Sequence, residues 1–262
     1  MEEDSARSLL ALTGAAESAL AGLEAPRWHE RLERRQDEFG PAVEWLIAAG
    51  SPDDALRLVV ALPYFWMANG NLAGGRALLE RAAGVAGAPP GLRALARFHA
   101  GMLATFRVEH AASAALFARA LAHARQAGDS DAVALALSGQ ARLALVAGDI
   151  PRGERLSLEA LDLAGDGAGR SNALHTLGQA ARLAGDLERA RAVMTARLEL
   201  ARDRGNLVAV ATEATNLSSV ERELGRDALA AELLAEASRL WPLFGRTLLV
   251  MYVASVRRKH VA

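Results

Sequence analysis

A turn followed by small and apolar residues at fixed offsets recurs through the second half of this chain. It begins at Val108, Gly148, Gly185 and Gly225, so successive starting points lie 40, 37 and 40 residues apart. A fixed period of this length indicates helix–turn–helix units that stack on one another into an α-solenoid. Such a fold offers surfaces for partners, and the repeat itself supplies no catalytic chemistry.

Each unit also carries a small residue five positions after its turn begins. A fifth, atypical unit starts at Gly70, and Arg197 interrupts the apolar pattern of the unit at Gly185. The five small residues are Gly75, Ser113, Gly153, Ala190 and Ala230. A larger side chain at these positions would hold the two helices of a hairpin apart, so we expect a close helix crossing at each of them.

Composition narrows the fold and function classes further. The chain has 262 residues, 52% of them hydrophobic and only 5% aromatic, which together with abundant Ala, Leu, Arg and Glu favours an all-α fold. A formal net charge of −1 gives no basic footprint for nucleic acid. There is no cysteine, and no apolar run reaches the length of a membrane span. We therefore expect a cytoplasmic protein with no membrane and no direct nucleic-acid contact.

The periodicity predicts a helix at residues 5–23 ended by Pro26, a second at 28–48 and a third at 54–68 bent by Pro63. After a loop containing Pro89 and Pro90, the helices alternate in pairs. We expect them at residues 92–107, 111–126, 131–147, 150–164, 169–184, 187–204, 207–224 and 227–240, with a last helix at 244–258. This predicts two domains: an N-terminal helical block at 1–88 that includes the first atypical hairpin, and a solenoid at 91–262 with a C-terminal capping helix.

The repeat pattern resembles the tetratricopeptide repeat (TPR). The best match is Leu174-x-x-Leu177-Gly178, followed by Gly185-Asp186 and Ala190. The other units keep the small residue and lose parts of the rest, and periods of 37 to 40 exceed the usual 34 or so. The resemblance implies a right-handed α-solenoid of TPR-like helical hairpins.

The stretch from Trp28 to Glu80 resembles a narrower group. The matching segments are Trp28-x-x-Arg31-Leu32-Glu33, Asp37-Glu38-Phe39, Ala42-Val43-Glu44-Trp45-Leu46, Ala49-Gly50, Ala55-Leu56-Arg57-Leu58, Ala61-Leu62, Phe65-Trp66, Gly70 and Gly75-Arg76-x-x-Leu79-Glu80. In bacterial STAND-type transcriptional regulators of the LuxR-type large ATP-binding and antibiotic-regulatory groups, such a region joins the ATPase to TPR-like repeats. Glu38 and Gly74 depart from that pattern. The resemblance implies a sensor domain that binds an inducer or a protein.

No constellation in the sequence points to catalysis or to a cofactor. The only lysine is Lys259, which excludes a P-loop in this chain, and no G-x-S-x-G occurs. The six histidines never flank a carboxylate at the i, i+4 spacing of a helical zinc motif. We therefore predict a non-enzymatic chain with no cofactor and no metal site.

The repeat register predicts which side chains line the inner face of the first helices. Counting back from each turn gives Tyr64, Phe98, Met102, Thr105, Ser138, Arg142, Asn172, His175, Gln179, Arg182, Thr212, Thr215, Ser219 and Arg222. One interpretation is a simple solvent-exposed face; the other is a groove for a peptide end or a small anionic ligand. Arg182 and Arg222 share one offset in adjacent units, and guanidinium groups suit carboxylate and phosphate.

The last helix is more apolar than a terminal cap requires. Its apolar side chains include Phe244, Leu248, Leu249, Tyr252 and Val253. Either this helix packs against the last hairpin, or it contacts a second copy of the chain or another domain. The leading hypothesis is thus a regulatory domain for a protein, peptide or small-molecule inducer. The alternative is a free-standing TPR scaffold or adaptor that binds peptide segments of a partner protein.

Overall fold

The computed structural model describes residues 2–245, which contain 14 α-helices and no strand. They divide into two compact units. Unit 1 comprises residues 2–129 with 244–245, and unit 2 comprises Ser130–Leu243. No helix in the described part is both long and apolar enough to cross a membrane.

Short helices build the first part of unit 1. They are α1 (Glu3–Ala16), α2 (Ala25–Glu33), α3 (Phe39–Ala48), α4 (Pro52–Val60) and α5 (Pro63–Asn69). The expected helix at 5–23 stops at Ala16, and a 3₁₀ turn at Ala19–Ala21 follows it. Pro26 therefore does not end α1: it lies in the first turn of α2, where its missing N–H would have no helical partner.

Two of the predicted long helices are in fact pairs. The helix expected at 28–48 is interrupted by a 3₁₀ turn at Gln36–Glu38, where the Arg35 guanidinium bonds to the Glu38 carboxylate at 2.7 and 2.9 Å. The helix expected at 54–68 is not bent at Pro63. It ends at Val60 and a new helix begins at Pro63, because proline fits a first turn better than a helix interior.

Unit 1 continues with longer helices: α6 (Leu72–Ala83), α7 (Pro90–Phe106) and α8 (His110–Ala127). Helices α7 and α8 form an antiparallel hairpin in which the Thr105 and Ser113 hydroxyls lie 2.6 Å apart. The Ser113 hydroxyl also donates to the Gly101 carbonyl at 2.8 Å. The turn between them places Val108 at φ 63°, a left-handed conformation that is costly for a β-branched residue.

Unit 2 consists of three regular hairpins. Their helices are α9 (Ser130–Val146), α10 (Ile150–Leu163), α11 (Ala168–Leu183), α12 (Leu187–Asp203), α13 (Leu207–Glu223) and α14 (Asp227–Leu240). Their ends agree with the predicted bounds to within a residue or so. Gly148, Gly185 and Gly225 adopt left-handed φ values of 81°, 81° and 75° at the hairpin turns. Glycine reaches this region without a Cβ clash, which explains its recurrence.

The predicted close crossings at the small residues are confirmed. Ser113 and Ala190 are completely buried, and Ala230 is 6% exposed. A Cβ built on Gly75 would overlap the Trp66 ring, and one built on Gly153 would overlap the Leu145 side chain. The repeat therefore keeps these residues small because the paired helix leaves no room for more atoms.

Candidate functional site

The first helices of the three hairpins in unit 2 form one layer. Helices α9 and α11 pack against each other, and hydrogen-bonded side chains connect α11 to α13. This layer carries most of the polar residues that the repeat register assigned to an inner face. We refer to Arg142, His175 and Glu213 on the surface of α9, α11 and α13, together with Arg197 on the neighbouring helix α12, as the polar layer.

A chain of polar contacts runs across these helices. Arg142 Nη1 lies 3.4 Å from His175 Nε2, and His175 Nδ1 lies 3.1 Å from Glu213 Oε2. The same Glu213 oxygen accepts from Arg197 Nη1, on the neighbouring helix α12. Arg197 Nε donates to the Ser171 carbonyl at 2.9 Å. Four helices are therefore tied together through one glutamate and one histidine.

The hydrogen-bond partners of the two ring nitrogens determine the tautomer of His175. An arginine can only donate, so the Nε2 atom that faces Arg142 must be the acceptor. The proton then resides on Nδ1, which donates to the Glu213 carboxylate. This neutral form suits both neighbours, whereas an added proton on Nε2 would point at a guanidinium.

Burial and neighbouring charges act on the pKa values of these groups. Burial, then the Arg197 charge, lowers the pKa of His175 to about 4. Burial also lowers the pKa of Arg142 to about 10, with Arg197 adding to the effect. Burial alone would raise the pKa of Glu213, but Arg197 and His175 outweigh it and hold that pKa below its ordinary value. Near pH 7 the network thus has two guanidinium charges, one carboxylate and a neutral imidazole.

Two atoms of the network are buried without a hydrogen-bond partner. They are Arg142 Nε and Glu213 Oε1. Glu213 is completely buried, and Arg142 is partly exposed at the end of the chain of contacts. The one positive charge in excess is therefore assigned to the half-buried Arg142.

Other predicted groove residues of unit 2 have polar groups that are hydrogen-bonded within the chain or buried in it. Thr215 donates to the Ala211 carbonyl at 2.8 Å and accepts from Trp241 Nε1 at 3.4 Å. Ser219 and Asn172 donate to carbonyls of their own helices. Gln179 is buried in α11.

The two arginines expected to act together have different surroundings. Arg182 Nε donates to Glu223 Oε1 at 3.1 Å, so a carboxylate already balances its charge. Arg222 is exposed at the end of α13. Their joint binding of an anion stays a prediction.

The structure places several other predicted residues in unit 1. Phe98 is 5% exposed and packs on the Phe117 ring with 5.8 Å between centroids, while Tyr64 and Met102 are half-buried. Phe244, expected at a dimer or domain contact, is completely buried. Its proposed companions Leu248, Leu249, Tyr252 and Val253 lie outside the described residues.

Sequence reasoning missed Arg197 and Glu213, although both are central to the network. Arg197 stood out as a break in the repeat, and Glu213 is an acid between Ala211 and Ala214 in α13. A charged residue at a position that the repeat keeps buried needs a partner of opposite charge. Treating Arg197 and Glu213 as partners of each other would have located the network.

These hairpins form a TPR-like fold, and the predicted all-α fold of TPR-like hairpins is confirmed. The structure is similar to the crystal structure of BtubC (BKLC) from P. vanneervenii, with a TM-score of 0.59 and 18% identity over 80% of this chain and 90% of that one. At this identity the likeness concerns the fold alone.

A putative kinesin light chain with TPR-like repeats from Podosopora anserina aligns with a TM-score of 0.49 and 14% identity, over 72% of this chain and 95% of that one. The Cut9–Hcn1 structure of the APC/C aligns with a TM-score of 0.40 and 13% identity, over 86% of this chain and 48% of that one. No protein-family model and no curated protein matches the sequence.

Proposed function

We propose that this chain is a non-catalytic scaffold that binds a protein partner, and that the polar layer of unit 2 receives an acidic segment of that partner. The TPR-like fold supports a binding function, because such hairpins present an extended surface of side chains. The observation that carries the proposal is the excess positive charge at Arg142, beside a buried network that cannot neutralise it.

A carboxylate is the group that best completes this network. It would accept from the guanidinium of the half-buried Arg142, for which the network holds no carboxylate of its own. A cationic segment would instead meet two arginines, and only one buried carboxylate lies behind them. Charge complementarity of this kind sets the choice of partner more than it sets affinity.

Fluorescence anisotropy with a labelled hexaglutamate peptide tests the proposal. The full chain is expected to bind this peptide and to ignore a hexalysine peptide. Arg142→Ala is expected to weaken binding about tenfold or more, since a hydrogen bond to a charged group is lost. Arg155→Ala, at an exposed arginine of α10, is the matched control and should bind as the parent does. Equal binding by all three proteins would refute the role of the polar layer.

At a finer level, we propose that the chain is the sensor region of a bacterial transcriptional regulator of the STAND type, located in the cytoplasm. The support is the order of segments from Trp28 to Glu80 that resembles the junction between an ATPase and TPR-like repeats. In this role the ligand is a protein, a peptide or a small-molecule inducer. The second candidate, supported by the polar layer alone, is a free-standing adaptor that binds peptide segments.

The coding sequence upstream of this chain distinguishes the two candidates. An ATPase encoded in the same reading frame supports the sensor region, and a stop codon followed by a separate promoter favours the adaptor. A thermal-shift screen with metabolites and peptides then separates the ligand classes, because a ligand of the native state raises the melting temperature. Sedimentation equilibrium at micromolar concentration tests the proposed homodimer; a monomeric mass would contradict it.

A further inference from the structure

A second group of basic side chains lies in unit 1, on helices α7 and α8. It comprises Arg93 and Arg97 on α7, with Arg119 and His123 on α8. We refer to these four residues as the arginine cluster. Each pair is spaced i, i+4 and therefore shares one face of its helix.

The register of the hairpin brings the two pairs to neighbouring levels. Thr105 faces Ser113, and a Cβ on Gly101 would lie 2.6 Å from the Phe117 ring. Each step back along α7 therefore matches a step forward along α8. Continuing this antiparallel register places the stretch 93–97 beside the stretch 121–125, which contains His123, and Arg119 lies one turn before His123 on α8.

Arg97 is the buried member of the cluster, at 7% exposure. Its Nε atom is buried and has no hydrogen-bond partner. The one acidic side chain within ion-pair range of the cluster, among the residues that the structure describes, is Glu80, whose Oε2 lies 4.0 Å from Arg97 Nη1. Glu80 is shared, because its other oxygen lies 3.2 Å from Arg76 Nε. Such incomplete pairing of a buried guanidinium is costly unless another anion joins it.

The electrostatics of the four groups agree with their proximity. Burial, then the charge of Arg119, lowers the pKa of Arg97 from its ordinary value. Burial, then the charge of Arg93, lowers the pKa of His123. His123 is therefore neutral near pH 7. The cluster then has three guanidinium charges and one nearby carboxylate, that of Glu80.

We propose that the arginine cluster binds a phosphate group, with Arg93, Arg97 and Arg119 donating to its oxygens. The excess of two positive charges matches a phosphate, which has about −1.5 to −2 charges at pH 7, better than a single carboxylate. Planar guanidinium groups present paired donors that fit phosphate oxygens. Arg119 is exposed and Arg93 and His123 are partly buried, so the cluster opens to solvent while Arg97 forms its base.

Titration calorimetry on the full chain tests this site with inorganic phosphate, pyrophosphate and glycerol phosphate, with acetate at equal ionic strength as the reference. We expect saturable binding of the phosphate compounds at one site and none of acetate. Preference for inorganic phosphate or pyrophosphate identifies a free anion, whereas preference for glycerol phosphate identifies a phosphate carried on a small organic molecule. Binding should also raise the pKa of His123, which NMR titration of its ring protons measures.

Arg119→Ala is the principal variant, because an exposed side chain can be removed without disturbing the core. It should weaken phosphate binding about tenfold or more, and Arg97→Gln should do so at least as strongly. Arg155→Ala, in unit 2, controls for the loss of one positive charge and should leave the affinity unchanged. The proposal is overturned if phosphate binds no better than acetate, or if Arg119→Ala binds phosphate as the parent does.

Discussion

Buried charged side chains have different partners in unit 2 and in unit 1. In unit 2 the completely buried Glu213 contacts both Arg197 and His175, and the charge in excess lies on the half-buried Arg142. In unit 1 the buried Arg97 pairs only with the Glu80 carboxylate, at 4.0 Å, and Glu80 also pairs with Arg76. The comparison teaches that similar helical hairpins can pair a buried charge closely within the chain, as at Glu213, or leave it incompletely paired, as at Arg97.

The largest effect is expected from removing the acid that pairs the unit 2 network. Glu213→Gln leaves Arg197 buried without its counter-charge, and breaking a buried pair in this way costs about 3–5 kcal/mol. Urea denaturation should show this loss in the free energy of unfolding. Glu223→Gln, at an acid that is 40% exposed and paired with Arg182, is the control and should cost about 0–1 kcal/mol. Equal losses for the two variants would show that the buried pairing of Glu213 contributes no more to stability than an ion pair at the surface.

Lowering the pH should reduce the stability of unit 2, because His175 is buried in its neutral form. Its native pKa of about 4 lies below its ordinary value of 6.5, so the unfolded chain binds more protons between these two pH values. The stability that depends on a neutral His175 is fully present above pH 6.5 and is lost as the pH falls to about 4. The free energy of unfolding should fall by on the order of 3 kcal/mol over this range.

His175→Asn should flatten the fall in unfolding free energy between pH 7 and pH 4.5, because its amide cannot titrate there. Part of the acid sensitivity should remain, because burial also lowers the pKa of His99 in unit 1 to about 4. An unchanged slope in the variant would show that His175 is not the titrating group.

A smaller effect concerns the feature that both units share, the close helix crossing. Gly75→Ala in unit 1 would push a Cβ into the buried ring of Trp66 and should cost about 1–3 kcal/mol. Gly153→Ala in unit 2 should cost less, because the end of the flexible Leu145 side chain can move aside. Gly14→Ala in α1 meets nothing within 4 Å and should stabilise the chain by about 0.5–1 kcal/mol. Melting temperatures in the reverse order would contradict this account.

The smallest effect is expected at the hairpin turns. Val108 adopts φ 63° where Gly148 and Gly185 adopt 81°. Val108→Gly should therefore raise the free energy of unfolding by about 1 kcal/mol, and Gly148→Val should lower it by at least that amount. Urea midpoints measured on both variants check the pair; a loss of stability in Val108→Gly would show that its side chain has a compensating contact.

The regular part of the fold could be predicted from the sequence, because left-handed turns and close crossings restrict which residues fit. The helices of the regular hairpins followed directly from Gly148, Gly185 and Gly225. The N-terminal block could not be predicted to the same extent. The charged run before Phe39 has little apolar periodicity to show where a helix breaks, and Pro63 is compatible with either a bend or a helix start.

The site was predictable only in part, for a related reason. Counting from the turns identified Arg142 and His175, whose hydrogen bond lies within the polar layer. The same counting gave Thr215 and Ser219, whose hydroxyls bond to their own helix. Periodicity locates a helical face, but it does not tell whether a polar group on that face is bonded inside the chain. Arg197 and Glu213 required knowledge of which side chains meet between helices.

Hydrogen–deuterium exchange of the full chain, with and without the hexaglutamate peptide, tests the central claim most directly. We expect the peptide to slow amide exchange in α9, α11 and α13 of unit 2 and to leave unit 1 unchanged. The same peptide should slow nothing in the Arg142→Ala variant. Slower exchange confined to unit 1, or equal protection in parent and variant, would contradict a binding surface formed by the polar layer.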